Sequence, residues 1–269
     1  MTKPFSYLAA LLVVGVTVVP LGFTVLGGFR TNAQINNDPA GLPGPWVWSN
    51  YTEVLSSAVF WRAMWNSAFI AVVATVVATA VGAMAAFALS RYTFKGREGL
   101  YTLFTIGLLF PLTAAALPLY LLLRQANLLE HPLGVALPEA AFALPITIVI
   151  LRPFMHAIPG ELEDAAAMDG AGKLGFFWRI LLPLSRPALT TVAILAFVTS
   201  WNAYLLPLLV LSDPNDFTLP LGVAAFQSQF SQDTARILAY TAASMIPAIG
   251  FFVFAERKIV GGLTGSVKG

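Results

Sequence analysis

Charged side chains are scarce in this sequence. Of its 269 residues, 15 are Lys or Arg and 13 are Asp or Glu, so 10% are charged, against about 25% in soluble domains. Hydrophobic residues make up 58%, above the usual ~45–50%. Too few charges remain to cover a soluble protein of this length, and the hydrophobicity excludes a disordered chain. The composition indicates a protein that crosses a membrane several times.

Cysteine is absent, and histidine occurs only as His131 and His156. The chain therefore has no disulfide, thiolate zinc site, iron–sulfur cluster or cysteine nucleophile, and its two histidines lack a metal-ligand spacing. A phosphate-binding G-x-x-x-x-G-K-[ST] loop is also missing, as is any credible Ser–His–Asp set. We expect no metal site, no cofactor and no catalytic residue in this chain, so energy for its work comes from another protein.

Long uncharged stretches separate the charges and define the predicted spans. Arg62 and Arg91, for example, enclose 28 uncharged residues, and a helix needs ~20 apolar residues to cross a bilayer. A strand barrel would instead show ~10-residue alternating segments, which the sequence lacks. We predict an all-α polytopic membrane protein, with one transmembrane domain over 1–269 and six transmembrane helices near 6–28, 66–90, 100–123, 133–155, 185–211 and 237–255.

The loops between these spans differ in basic residues. If the N-terminus lies inside, the inside segments hold 11 of the 15 Lys and Arg residues, and the outside segments hold the other 4. This positive-inside pattern predicts both termini on the cytoplasmic side, and it accounts for the net charge of +2 without nucleic acid as a partner. The first span is longer than the ~7–15 residues of a signal-peptide core, so we expect an uncleaved anchor.

Two predicted outer loops are long enough to have roles of their own. Residues 31–62 include Trp46, Trp48 and Trp61, and interfacial tryptophans favour anchoring at the lipid headgroups; contact with a partner protein is the alternative. Residues 212–236 form a second loop that is rich in Gln, Ser and Phe. Loops of that length are more often functional than mere connections.

The inside loop over 156–186 carries the most informative pattern. Pro159 ends span four, and three acids follow it where the dipole of a new helix favours negative charge. Alanines at 165–167 favour helix, and Gly170 provides a stop. The pattern predicts a short helix over about 161–169, whose small side chains let a groove of another protein approach closely. A helix that only connects two spans is the alternative.

This loop resembles the EAA loop of ATP-binding-cassette (ABC) importer permeases. The family pattern is EAA, two residues, DGA, then Phe and Leu-Pro; the sequence has DAA at 164–166, DGA at 169–171, Phe177 and Leu182-Pro183. Asp164 stands where the family has Glu, so its carboxylate reaches one methylene less far. The resemblance continues outside the loop, to permeases of the maltose-type carbohydrate-uptake subfamily, in stretches 65–98, 118–145, 200–211 and 218–226.

The resemblance implies a type I ABC importer permease fold with a cytoplasmic coupling helix, in a bacterial-type inner membrane. It implies an ATP-driven sugar importer, in which this chain forms a heterodimer with a second permease among the membrane lipids. An extracytoplasmic sugar-binding protein would meet the outer loop at 212–236, and two cytoplasmic ATPases would bind ATP and Mg²⁺. Those ATPases would dock at Glu163, Asp164, Ala165, Ala166, Asp169, Gly170 and Ala171.

Four residues are candidates for the substrate path: Glu139 in span four, and Trp201, Asn202 and Tyr204 in span five. A charge within a span must face protein or water, and aromatic rings with an amide suit a sugar. Alternatively, Glu139 is satisfied near the interface by a neighbour, and the aromatic residues pack helices. The subfamily usually has Asp and an aromatic after Trp-Asn; here Ala203 precedes Tyr204, so no role carries over to an acid.

Other functions compete with sugar import. A polyol or a glycerophosphodiester is the alternative cargo. A secondary transporter would instead show internal repeats and several intramembrane carboxylates for ion coupling, whereas Glu139 is the only deep carboxylate of the predicted spans. A membrane-embedded enzyme would need catalytic groups that the sequence lacks.

Overall fold

A computed structural model describes residues 3–223 and 233–264, with side chains over 6–223 and 233–250. Within those ranges the chain forms helices and no strand. The first half contains α1 (Lys3–Gly27), α2 (Asn32–Asn37), α3 (Ser49–Ser56), α4 (Ala58–Arg91), α5 (Arg97–Gly107), α6 (Leu112–Gln125) and α7 (Pro132–Ala157). The second half contains α8 (Glu161–Met168), α9 (Lys173–Phe176), a π-helical turn (Phe177–Leu181), α10 (Leu182–Leu184), α11 (Arg186–Trp201), α12 (Leu205–Val210), α13 (Leu219–Gly222) and α14 (Thr234–Thr264).

Several of these helices can cross a membrane. Ser6–Gly27 of α1, α4 and α7 are each long and apolar enough alone, and two bent pairs raise the number among the described residues to five. The pairs are α5 with α6, bent by 103°, and Lys173–Leu184 with α11, bent by 79°. The sixth predicted span, 237–255, falls in α14, whose side chains are described only to residue 250. The predicted all-α polytopic class is confirmed.

Two predicted spans are broken rather than continuous. The span predicted over 100–123 is interrupted before Pro111, whose extended backbone (ψ 133°) starts α6; proline disfavours helical backbone in the residue before it. The span predicted over 185–211 stops at Trp201 and resumes at Leu205. A continuous helix there would press the ring of Pro207 against the carbonyl of Ala203.

The core forms where α4 packs along α7 and α11. Small residues on α4 make the approach close: a Cβ added to Gly82 would lie 2.4 Å from the Thr147 Cγ2 atom on α7, and Ala74, Ala78 and Ala83 are buried nearby. Such small-residue faces are typical of helix packing in membranes. Because α4 packs against both α7 and α11, it places these two helices side by side.

Each end of the bundle has a hydrophobic cluster of its own. At one end, called the α8 end, the cluster joins α4, α7, α8, α9 and α11. At the other, called the α2–α3 end, it joins α3, α4, α11, α13 and α14. Segments outside the spans are therefore anchored into the bundle at both ends.

Candidate functional sites

Helix α8 lies where the sequence predicts a short helix, and it touches the bundle through one small side chain. Ala166 is its only buried residue, at 4% exposure, and it joins the α8-end cluster. Met168, two residues further and on the opposite side of the helix, is 89% exposed. Because Ala166 is the only fully buried side chain of α8, most of the helix surface is open to another protein.

A glycine ends α8 in a defined geometry. Gly170 adopts φ +81°, the left-handed region that glycine enters without strain. The amide of Ala171 donates to the Ala166 carbonyl at 2.8 Å, and that of Gly170 donates to the Ala167 carbonyl at 3.0 Å. These two bonds make a Schellman stop. An added Cβ on Gly170 would meet no atom within 4 Å, so the requirement for glycine comes from the backbone alone.

Arg91, the last residue of α4, holds the joint between α7 and α8. Its Nη2 atom donates to the carbonyls of Met155 at 2.8 Å and Ile158 at 2.7 Å. A cation at the C-terminal end of a helix satisfies carbonyls that have no partner within the helix and complements the helix dipole. A movement of α8 is thereby linked to the end of α4 as well as to α7.

Tyr92 extends this link to α9. Its ring contacts Phe87 edge-on at 5.2 Å, Phe87 stacks on Phe177 at 4.9 Å, and the Lys173 ammonium lies 4.5 Å from the Tyr92 ring centre. Burial, and then the negative charge of Glu163, raise the pKa of Tyr92, so its hydroxyl stays neutral. Aromatic packing therefore joins the end of α4 to α9 and to the π-helical turn that follows it.

A further arginine fastens the start of α5 to the end of α7. Arg152 forms an ion pair with Glu98 at 2.5 Å, and its guanidinium lies 3.9 Å from the ring centre of Tyr101. Two arginines of the predicted inside loops thus make structural contacts. The positive-inside pattern shows how many such residues there are, but not which groups they bind.

The seven predicted coupling residues lie together around α8 with different degrees of burial. Ala166 is buried, Glu163 and Ala171 are half-buried, and Asp164, Ala165, Asp169 and Gly170 are exposed. A polar cavity of about 630 Å³ opens beside them, lined by both signs of charge, including Arg91, Glu161, Glu163 and Asp164. The sequence did not single out Arg91, because the residues that it binds are more than 60 positions away.

A second candidate site is a cavity of about 390 Å³ between α7 and α11, called the α7–α11 cavity. Glu139 and Tyr204 line it, together with Thr199, Ser200 and Phe142. The Ser200 hydroxyl donates to Oε2 of Glu139. The other carboxylate oxygen, Oε1, is buried and has no hydrogen-bond partner in the part of the chain that the structure describes.

Trp201 and Asn202 lie elsewhere. Trp201 is 7% exposed and belongs to the α2–α3-end cluster, where it stacks on Phe197 at 5.6 Å. The side-chain amide of Asn202 donates to the Val198 carbonyl at 2.8 Å. Both line a separate cavity of about 340 Å³ between α11, α13 and α14. The structure therefore brings Glu139 and Tyr204 together but places the other two candidates apart from them.

The beginning of the predicted loop over 212–236 is tied down. Oε2 of Glu130 accepts from the Ser212 amide at 2.7 Å, and these backbone hydrogen bonds hold the pKa of Glu130 below its usual range. Arg62 and Asn66 of α4 bond to Asn215. Residues 224–232 of this predicted loop lie outside the described residues.

Comparison with known proteins gives the family. Residues 78–258 match the model of the binding-protein-dependent transport system inner membrane component. The chain belongs to this family of ABC importer permeases. The sequence resemblance to carbohydrate-uptake permeases is confirmed as well, because relatives with such names match nearly the whole chain.

Three such relatives show the extent of the similarity. The diacetylchitobiose uptake system permease protein NgcG of Streptomyces coelicolor is 31% identical over 93% of this chain and 83% of its own length. The arabinooligosaccharides transport system permease protein AraQ of Halalkalibacterium halodurans is 33% identical, over 94% and 92%. The trehalose transport system permease protein SugB of Mycobacterium tuberculosis is 35% identical, over 96% and 95%.

A solved structure shares the fold. It is the crystal structure of a bacterial ABC transporter involved in the import of the acidic polysaccharide alginate; one chain aligns with a TM-score of 0.78 at 22% identity, over 95% of this chain and 96% of that chain. The predicted permease fold is therefore confirmed.

Proposed function

We propose that this chain is one permease subunit of an ATP-driven sugar importer. The observation that carries the proposal is the geometry of α8, a short helix fixed to the bundle by Ala166 and by the Arg91-bound joint before it, with its remaining faces open. The family match over 78–258 supports import driven by a binding protein. Sugar as the cargo is supported by the names of the relatives, which specify diacetylchitobiose, arabinooligosaccharides and trehalose.

The proposed assembly contains a second permease, two ATPases and a sugar-binding protein. The α8 end faces the cytoplasm, with both chain termini on that side, and the 212–236 loop faces the binding protein. ATP and Mg²⁺ bind to the ATPases and not to this chain. Support for the binding protein comes from a second structure of similar fold, of a bacterial alginate ABC transporter in complex with an alginate pentasaccharide-bound periplasmic protein (TM-score 0.64).

The proposed mechanism is mechanical. Closure of the ATPases on ATP displaces α8, and the seven residues Glu163, Asp164, Ala165, Ala166, Asp169, Gly170 and Ala171 form the docking surface. Through Arg91 and the aromatic contacts of Tyr92, that displacement reaches α4, α7 and α9 together, which favours rigid-body movement of the bundle. ATP and the loaded binding protein shift the equilibrium only because each binds one state of the importer more tightly than the other.

Reconstitution tests this proposal. Liposomes that contain both permeases and the ATPases should take up a sugar when its binding protein is outside and ATP is inside, and should not when either is left out. A panel of neutral oligosaccharides, polyols and glycerophosphodiesters identifies the cargo. Uptake by this chain alone, without the ATPases, would contradict the proposal and favour a secondary transporter. Uptake of a polyol or a glycerophosphodiester, without uptake of any sugar, would support an ATP-driven importer but contradict sugar as its cargo.

A further inference from the structure

Glu139 has an unusual position in the α7–α11 cavity. One carboxylate oxygen accepts the hydroxyl of Ser200, while the other is buried without a partner among the described residues. A buried polar atom without a hydrogen bond is costly, and such atoms are rare in folded proteins. The site is therefore short of at least one hydrogen-bond donor, which a bound molecule can supply.

The other side chains around this cavity indicate what kind of molecule fits. Phe142 and Tyr204 offer aromatic rings, Thr199 offers a hydroxyl beside that of Ser200, and the rest of the lining is mainly aliphatic. A volume of about 390 Å³ lies within the ~300–1,000 Å³ of small-molecule sites. A sugar unit matches this chemistry, because it has apolar faces for the rings and hydroxyl groups that donate to a carboxylate.

Charge narrows the class of sugar. Glu139 is the only charged residue that the structure places in the cavity lining, and no basic residue accompanies it there. A uronic acid would bring a second carboxylate next to the first, and like charges repel strongly where water is excluded. An uncharged sugar unit meets no such repulsion and provides the missing donor.

We propose that the α7–α11 cavity is a saccharide subsite of this subunit, selective for uncharged sugar units, in which Glu139 accepts hydrogen bonds from sugar hydroxyl groups. This inference rests on the proposed function as a sugar importer. It adds that this permease itself contacts the cargo and that it discriminates against anionic saccharides.

The absence of cysteine from the chain allows a direct test by thiol labelling. T199C places a thiol in the α7–α11 cavity, and T241C places one in the separate cavity beside Trp201. Each variant is assembled with cysteine-free partner subunits, solubilised, and treated with a small methanethiosulfonate reagent. The probe is the uncharged disaccharide found by the uptake panel. It should slow the labelling of T199C at least fivefold and leave T241C unchanged.

Unprotected T199C in an importer that still takes up the disaccharide would overturn the subsite, whereas loss of uptake in the unmodified importer would overturn the proposed function instead. Equal protection of the T199C and T241C thiols would also overturn the subsite, because the sugar would then not be acting at the α7–α11 cavity alone.

The charge discrimination is tested with the same disaccharide after oxidation of a primary hydroxyl to a carboxylate. With Glu139 in place, this acid should not protect T199C; in the T199C chain that also carries E139Q, it should protect within threefold of the neutral sugar. Equal protection by both sugars with Glu139 present would overturn the selectivity. That comparison needs no substitution at Glu139, so it holds even if E139Q fails to assemble.

Discussion

At each end of the bundle an arginine side chain binds backbone carbonyl groups, but the surroundings of the two arginines differ. At the α2–α3 end, Arg30 is 2% exposed and donates from Nη2 to the carbonyls of Gln34 at 2.6 Å and Asp38 at 2.5 Å. At the α8 end, Arg91 donates to the carbonyls of Met155 and Ile158. In both places an arginine donates to backbone carbonyls at the C-terminal end of a helix, α2 for Arg30 and α7 for Arg91.

The surroundings of the two arginines differ. At the α2–α3 end, the Asn50 amide also bonds the carbonyls of Gly28 and Arg30, and Phe29 packs against Trp48 at 4.7 Å and Tyr51 at 4.4 Å. Helix α8 has one buried residue and is otherwise open. The first end is held together by several contacts within this chain, while the second is a fixed but open surface that suits a partner.

The largest effect is expected for R30A. The substitution removes the hydrogen bonds from a buried guanidinium to the carbonyls of Gln34, Asp38 and Pro39, and hydrogen bonds to charged groups are worth ~1.5–3 kcal/mol each. The free energy of unfolding in detergent should fall by at least about 3 kcal/mol. R124A, at an exposed position, is the control and should change it little. Equal midpoints of denaturant unfolding for the two variants would contradict the account of this end.

R91A should affect coupling more than folding. It removes the donor to two carbonyls, a loss of about 2 kcal/mol, and it detaches the α7–α8 joint from α4. We expect faster proteolysis at 158–160 and a several-fold drop in sugar molecules imported per ATP hydrolysed. The measurement is the ratio of uptake to ATP hydrolysis in liposomes. An unchanged ratio, with cleavage as slow as in the unmodified chain, would show that Arg91 does not couple the movement of α8 to α4.

The neighbouring alanines of α8 form a matched pair. Ala166 is buried and Ala165 is exposed, so A166L overpacks the α8-end cluster at a cost of about 2 kcal/mol, while A165L should leave the unfolding free energy unchanged. A165L should nevertheless weaken binding of the ATPases, because its larger side chain projects from the exposed face and prevents an ATPase from approaching closely. Co-purification and unfolding separate the two effects. If A165L binds the ATPases normally, that face is not the docking surface.

The smallest effect is a pH dependence at the α2–α3 end. The Tyr51 hydroxyl donates to the Val25 carbonyl at 2.7 Å, and burial raises the pKa of Tyr51 from 10.0 to about 12. The unfolded chain therefore loses this proton at lower pH than the folded one, so stability is full below pH 10 and falls between about pH 10 and 12. Y51F should lack that decline. A decline of equal size in Y51F would assign it to other groups.

Sequence patterns located the helices and α8 but not the contacts that position them. Acids after Pro159, alanines at 165–167 and Gly170 act within one helix, so their consequences can be read locally. Arg91 binds carbonyls more than 60 residues away, and Ser200 reaches Glu139 from another helix. Such pairings depend on the packing of α4, α7 and α11, which hydrophobicity alone does not determine.

The breaks within the spans could not be predicted from the sequence pattern either. Pro111 and Pro207 were visible in the sequence, yet proline is tolerated inside many membrane helices; α7 continues through Pro138, Pro145 and Pro153. A proline in the sequence therefore does not by itself predict a break in a span. Trp201 faces the α2–α3-end cluster and not Glu139 because it lies about 100° further round α11 than Ser200, which bonds Glu139.

Site-specific cross-linking tests the central claim most directly, since the chain has no cysteine of its own. A165C is exposed on α8, and L42C is exposed at the opposite end of the bundle, where Leu42 is 77% accessible. In the assembled importer, A165C should form a cross-link to an ATPase subunit whose yield changes when ATP is added, and L42C should form none. An active importer in which A165C forms no cross-link, or in which L42C does, would contradict the assignment of α8 as the coupling helix.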